Sequence, residues 1–351
     1  METIERALPP DLLTTPIVGA PLAGGPTTPT LAAAVGEAGG LGFLAAGYKT
    51  AIALADDIEA LRGLTQSPFG VNLFYPVREQ IDEAQIAAYV DLLAEEAARY
   101  GVAAGEPQWT DDDWEAKLEL VRRERPTVVS FTFGCPDQEI VEELRAGGSS
   151  VWCTVTSPAE AEQAGSASVD ALVVQGGEAG GHQGSFHDHS GDPYPLLTLL
   201  QLIRHAVDLP LIAAGGIATA EAIAAVLAAG ASAAQLGTAL LLTPEAGTSA
   251  AHRRALRGAR ATKLTRAFTG RRARGIVNRF MLEYDAAAPI AYPEIHYVTA
   301  PIRAAARAGD DGETINLWAG QAYQLTRERP AAELVEELAH ELARLSPGRD
   351  H

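Results

Sequence analysis

The sequence predicts a (β/α)8 TIM barrel followed by a smaller, mostly helical part. Three observations carry this prediction. Eight short apolar runs with strand character alternate with helical segments. Glycine and proline punctuate the joins between them, and most joins are short. The alternation ends after Leu242, where a basic stretch and then a Pro- and aromatic-bearing stretch take over. A doubly wound open sheet uses the same βα unit and is the alternative. The strand number and even spacing favour the barrel.

Residues 16–21, Pro-Ile-Val-Gly-Ala-Pro, form the first strand candidate, and residues 30–38 a helix closed by Gly39-Gly40. Residues 41–46 make the second strand. Residues 50–64 read as an amphipathic helix, with Ile52, Leu54, Ile58 and Leu61 at helical spacing. The third strand, 69–73, precedes helical sequence at 79–100 and 111–124, broken by Gly and Pro over 101–107. Residues 128–132, 137–146 and 151–155 give strand, helix, strand. Ser157-Pro-Ala-Glu160 fits a helix start: a hydroxyl N-cap, proline in the first turn and an acid three residues on. The last three strands are 171–175, 210–214 and 233–237, with helices at 196–207 and 219–229. Further on, 253–274 is basic and helical in part, 286–301 is irregular, and 334–345 is an amphipathic helix. The expected division is a barrel over 1–243 and a smaller, largely helical part over 244–324 covering the barrel mouth. A final helix, about 325–351, returns to the barrel wall.

Composition narrows the function classes. With 351 residues, 47 % of them hydrophobic, the chain can bury a large core. A net charge of −18 and a pI of about 4.8 disfavour nucleic acid or an anionic membrane as main partner. A small anion can still bind where main-chain donors and helix starts outweigh the global field. Cys135 and Cys153 sit in or beside apolar runs and read as buried thiols, not a disulfide framework. The first residues lack a basic n-region and a long apolar segment, and no apolar run has membrane-spanning length. A cytoplasmic monomer or homodimer is the expectation.

A barrel fixes where the site should be, since ligands bind at the C-terminal ends of the strands. Residues 20–23, Asn72, 175–185, Gly215-Gly216 and 235–238 should therefore converge. The most distinctive of these is Gln175-Gly-Gly-Glu-Ala-Gly-Gly-His-Gln-Gly-Ser185, whose glycines let a flat or charged ligand touch the main chain. His182 is its one imidazole. In isolation it reads equally well as a mobile surface loop. Ala214-Gly-Gly-Ile217 and Gln235-Leu-Gly-Thr238 follow strands seven and eight, the usual phosphate position, with exposed amides and the Thr238 hydroxyl. Their glycines also suit tight βα turns. His187 and His189 sit in Phe186-His-Asp-His-Ser190. They read as a polar loop rim rather than metal ligands, because no second ligand cluster accompanies them, and no metal is expected. Glu178 has no evident role, and Lys49, Asp56 and Asp57 read as surface charges.

Taken together, Gln175-Gly-Gly-Glu-Ala-Gly-Gly-His182, Ala214-Gly-Gly-Ile217 and Gln235-Leu-Gly-Thr-Ala-Leu-Leu-Leu-Thr243 resemble the nitronate monooxygenases, formerly called 2-nitropropane dioxygenases. Pro16-Ile-Val-Gly-Ala-Pro-Leu-Ala-Gly-Gly25, Phe268-Thr-Gly-Arg-Arg-Ala-Arg-Gly-Ile-Val-Asn278 and Leu317-Trp-Ala-Gly-Gln321 are similar to that family too. The resemblance spans essentially the whole chain. It implies an FMN-dependent barrel enzyme that oxidises alkyl nitronates, with nitroalkanes as a further candidate substrate, using O2 to give a carbonyl compound and nitrite. Carried over by position, Gly215, Gly216, Gly237 and Thr238 hold the FMN phosphate. Ala20, Leu22, Asn72 and Gln175 lie along the isoalloxazine, Gly180 and Gly181 lie close to the flavin, and Gln235 completes the cofactor set. His182 matches the catalytic histidine. Leu22 stands where the family often has Met.

The residue types suit that chemistry. A neutral imidazole can take the α-proton of a nitroalkane, whereas with a preformed nitronate it would bind or orient the anion. Two rivals stay open: an NAD(P)H-dependent flavin reductase of the same fold, acting on a quinone or enoyl thioester, and a non-catalytic flavin or phosphate-ligand carrier.

Overall fold

The computed structural model describes residues 8–9, 12–188 and 191–345. His189 and residues 346–351 of the expected final helix lie outside them. The strands in chain order are β1 (Ile17–Gly19), β2 (Gly42–Ala45), β3 (Phe69–Phe74), β4 (Val128–Thr132), β5 (Ser150–Val155), β6 (Ala171–Gln175), β7 (Gly181–His182), β8 (Leu211–Ala214), β9 (Ala233–Leu236), β10 (Thr262–Thr265) and β11 (Ala273–Ile276). Eight of them form one parallel sheet in the order β1-β9-β8-β6-β5-β4-β3-β2. Its ends meet: Val18 lies opposite Leu41, Gly19 N–H donates to the Leu41 carbonyl (2.9 Å), and Leu41 N–H to that of Ile17 (3.0 Å). This nearly closed ring is the TIM-barrel arrangement, not the open sheet.

Side-chain alternation along each strand fills both faces. Leu172, Val174, Leu211 and Ala213 join the layer between strands and helices. Their neighbours Val173, Ile212 and Ala214 turn into the barrel, with Val18, Phe43, Val128 and Trp152. The helices α1 (Pro29–Glu37), α2 (Ala51–Leu64), α3 (Glu83–Leu92), α4 (Ala94–Arg99), α5 (Trp114–Glu124), α6 (Gln138–Ala146), α7 (Pro158–Ser166), α8 (Leu196–Ala206) and α9 (Ala220–Ala228) accompany the barrel strands. Ser157 caps α7 as its sequence suggests, its hydroxyl accepting from Glu160 N–H. The single helix read over 79–100 is two, α3 and α4.

Beyond β9 come α10 (Ala250–Leu256), α11 (Arg279–Tyr284), α12 (Glu294–Ala308) and α13 (Ala331–Leu345). Here the structure departs from the sequence reading twice. The basic stretch holds an antiparallel β10–β11 hairpin, and β7 adds to it as a third strand. Its arginines hid the strand pattern: Arg271, Arg272 and Arg274 are buried, Arg274 Nε donating to the Gly177 carbonyl at 2.8 Å. The stretch read as irregular contains the start of α12, which runs through Pro301. Gly105 passes close to the Tyr297 carbonyl, whose helical donor Pro301 cannot supply. α13 packs on α9 and α1. Ile86, Tyr89 and Leu93 from α3 and its end form a separate apolar cluster with Phe268, Phe280, Ile295 and Val298.

Candidate active site

A cavity of about 420 Å³ opens at the C-terminal ends of the barrel strands, within the usual size range of small-molecule and cofactor sites (~300–1,000 Å³). Ala20, Leu22, Asn72, Gln175, Gly180, Gly181, His182, Gly215, Gly216, Gln235, Gly237 and Thr238 all line it. The sequence therefore anticipates every one of these wall residues. It did not anticipate Tyr48, Phe74, Phe133, Asn316 and Trp318, which also line it.

One side is a main-chain cradle. Ala214 of β8 pairs with Gln235 of β9, so the two Gly-bearing loops that follow emerge side by side. Gly215 (φ 112°) and Gly216 (φ 70°) occupy conformations that side chains rarely adopt, and a Cβ on Gly215 would meet Ala179 N at 3.0 Å. The N–H groups of Gly216 and Thr238 make no hydrogen bond among the described residues. Thr238 Oγ1 accepts from Gly320 N–H at 3.0 Å, which leaves its own O–H free to donate. Leu22 N–H is engaged by Thr27 Oγ1 (2.7 Å), and Ala20 N–H by the Leu236 carbonyl (2.9 Å). These two residues face the cavity without a spare main-chain donor.

The Gly-rich loop is held at both ends and in the middle. Gln175 Nε2 donates to the His182 carbonyl (3.1 Å), and its Oε1 accepts from Gly184 N–H (2.7 Å). Glu160 Oε1 accepts from Phe186 N–H (2.9 Å). Glu178 gains a role that the sequence did not give: both its carboxylate oxygens accept from Leu196 N–H (3.1 Å each), capping α8. Asn72 is buried, its amide donating to Ser130 Oγ (2.9 Å) and Thr132 Oγ1 (3.0 Å). His187 is exposed, and no cluster of metal-ligating groups occurs among the described residues.

His182 sits on β7 in an aromatic box. Its ring lies 5.8 Å from Phe133, 5.6 Å from Tyr292 and 5.6 Å from Trp318, and its Nε2 is 2.9 Å from Thr269 Oγ1. Tyr48 (φ 66°) and Phe133 (φ 76°) are both held in left-handed backbone. Such strain costs ~1–3 kcal/mol per residue and persists where the surroundings fix it. Here Asp112 Oδ1 accepts from Tyr48 N–H (2.9 Å), His296 stacks on the Tyr48 ring at 4.2 Å, and Tyr292 and Tyr48 hydroxyls meet at 3.0 Å. Behind this wall lie two buried arginines. Arg271 lies over the Phe133 ring at 4.2 Å and donates to the Ser185 carbonyl. Arg303 is bonded to Thr299, Asn316 and His296. Burial, then Arg271 and Arg303, drive the His182 imidazole down to about 3. His296 falls to about 2, through burial and then Arg303 and His182.

Comparison with known proteins decides the family. The sequence profile of nitronate monooxygenase matches residues 7–341. The chain belongs to the nitronate monooxygenase family. A nitronate monooxygenase from Pseudomonas aeruginosa is 42 % identical over 341 residues, covering 93 % of this chain and 96 % of that protein. A nitroalkane oxidase structure from Streptomyces ansochromogenes superposes with a TM-score of 0.93 at 51 % identity, over 95 % of this chain and 97 % of the other. The enoyl reductase domain of MlnA from Bacillus amyloliquefaciens, at 13 % identity and TM-score 0.63 over 95 % of both chains, shares the fold alone. As a nitronate monooxygenase family member the chain is a flavin-dependent oxidoreductase. The residues present fit a flavin: Gly215 and Gly216 hold positive-φ backbone in which a Cβ would press on Ala179 or Glu178, and the Gly216 and Thr238 N–H groups are free to meet an anion.

Proposed function

We propose that this enzyme oxidises alkyl nitronates with O2 to a carbonyl compound and nitrite, using non-covalent FMN as its flavin. Bound FMN supplies the redox chemistry, and the protein supplies position and electrostatics. Gly215, Gly216, Gly237 and Thr238 would hold the phosphate through main-chain donors and one hydroxyl. Ala20, Leu22, Asn72, Gln175, Gly180, Gly181 and Gln235 would line the rest of the cofactor. FMN is favoured over a dinucleotide because no Rossmann fingerprint with its ribose-binding acid is present.

The observation that carries the substrate reading is the setting of His182: its ring lines the cavity inside the aromatic box, with the buried Arg271 and Arg303 acting on it. An imidazole pushed down to about 3 is neutral at working pH. It is a weak base for the α-proton of a neutral nitroalkane, since an effective base has a pKa near the operating pH. Two nearby guanidinium groups favour a bound anion for the same reason that they disfavour imidazolium. A nitronate has already lost that proton and carries the charge. His182 thus orients the anion, while Phe133, Tyr48, Tyr292 and Trp318 keep water from it. Neutral nitroalkane is the poorer substrate on this reading.

The reductase and carrier readings are less supported, because the 42 % identical relative is a nitronate monooxygenase and the 51 % identical structure a nitroalkane oxidase. The barrel over 1–243 and the covering part over 244–324 belong to this proposal, supported by the separate apolar cluster around Phe268 and Ile295. So does a cytoplasmic location, supported by two buried free thiols. No helix among the described residues is long and apolar enough to cross a membrane. The test is release and chromatography of the flavin, together with nitrite formation from ethylnitronate. FMN and stoichiometric nitrite are expected; FAD, or no nitrite, overturns the proposal.

A further inference from the structure

Arg303 of α12 is 7 % exposed. It donates from Nε to Thr299 Oγ1 (2.9 Å), from Nη1 to Asn316 Oδ1 (3.2 Å) and from Nη2 to the His296 carbonyl (2.8 Å). All three partners are neutral, and no carboxylate is among the charges that act on it. A buried cation without an anion is costly, so its retention calls for a purpose. Its effect on the cavity runs through Asn316. Guanidinium has no lone pair to offer, so the amide must turn its oxygen toward Arg303 and keep its NH2 for the other side. Asn316 makes no other side-chain hydrogen bond among the described residues, and it lines the cavity. Trp318, two residues on, lines the same cavity with its ring 5.6 Å from that of His182. Asn316 thus keeps its amide donors free on the cavity that His182 and Trp318 also line, with the Arg303 cation bonded to its oxygen.

We propose that Asn316, oriented by Arg303, binds the two-oxygen end of the anionic substrate and makes the site select nitronate over neutral nitroalkane. This rests on the function proposed above. Asn316 would touch the substrate; Arg303 is a positioning residue acting through it. A hydrogen bond to a charged group is worth ~10–100-fold in affinity, and a neutral ligand of the same shape gains far less.

The test uses flavin-loaded enzyme and two probes that do not turn over: propionate, planar and anionic like a nitronate, and propionamide, its neutral counterpart. Binding is read from the flavin absorbance. Asn316→Ala should weaken propionate ~10–100-fold and propionamide less than about 3-fold. Asn316→Asp, which puts a carboxylate beside Arg303, should weaken propionate further. Arg303→Gln should lose the same charge selectivity, and Arg303→Gln combined with Asn316→Ala should lose little more than either alone. Equal losses for both probes, no loss, or additive losses would overturn the proposal. Should Arg303→Gln fail to fold, the two Asn316 variants decide by themselves. Asn316-dependent propionate binding without nitrite from ethylnitronate would sink the proposed reaction and leave the anion subsite standing. Nitrite formation with propionate affinity indifferent to Asn316 would do the reverse.

Discussion

Acidification to pH 5.5 should destabilise this protein chiefly through three imidazoles. Burial drives His182 to about 3, His252 to about 4 and His296 to about 2, against an ordinary value of 6.5. Below pH 6.5 the unfolded chain binds protons at these positions and the folded chain does not, so stability rises with pH across that range. At pH 5.5 all three folded values lie well below the ambient pH. The cost of keeping one imidazole neutral is then set by the unfolded value alone, ~1.4 kcal/mol for one unit. Three such groups give ~4 kcal/mol between pH 7.5 and 5.5. Glu96, held below its ordinary 4.5 against its burial by Arg279 and Thr314, loses its contribution only at lower pH. Urea unfolding at pH 7.5, 6.5 and 5.5, with flavin held constant, reads the change. His296→Asn should flatten the drop by about a third. A loss of less than ~1 kcal/mol over that range would show that these imidazoles protonate in the folded protein, and the neutral His182 on which the substrate reading rests would fall with it.

Two substitutions probe the site directly. A Cβ on Gly180 would sit 2.5 Å from both Ala319 C and Gly320 N, so Gly180→Ala must displace the stretch that bonds Thr238. Overpacking of this kind costs ~1–3 kcal/mol, and flavin retention on gel filtration should fall; unchanged retention would separate that stretch from the cofactor. His182→Asn should keep its flavin and lose ~10–100-fold in kcat/KM on ethylnitronate, the value of a hydrogen bond to an anion. Near wild-type turnover would remove His182 from the chemistry.

The barrel was legible because its strands are short, apolar and evenly spaced, and because a parallel ring needs both faces of each strand filled. Ser157-Pro158 announced α7 by local chemistry that needs no tertiary context. The twelve cavity residues were legible through strand ends and Gly-rich turns, whose meaning the barrel geometry fixes. The aromatic box was not. Tyr48, Phe133 and the Asn316–Trp318 stretch reach the cavity from three separate parts of the chain, and nothing local marks them. The β10–β11 hairpin was hidden because its arginines look solvated in sequence and are buried in the fold. Glu178 looked idle for a similar reason: the helix start that it caps lies 18 residues away.

The account stands most directly on what reduces the flavin. In an anaerobic stopped-flow cell, purified enzyme is mixed with ethylnitronate and, separately, with NADH, while the flavin absorbance is followed. Rapid bleaching by ethylnitronate, with little or none by NADH, is the result predicted from a cavity that carries a neutral His182 backed by Arg271 and Arg303. Rapid bleaching by NADH with ethylnitronate inert would contradict it and return the chain to the reductase reading.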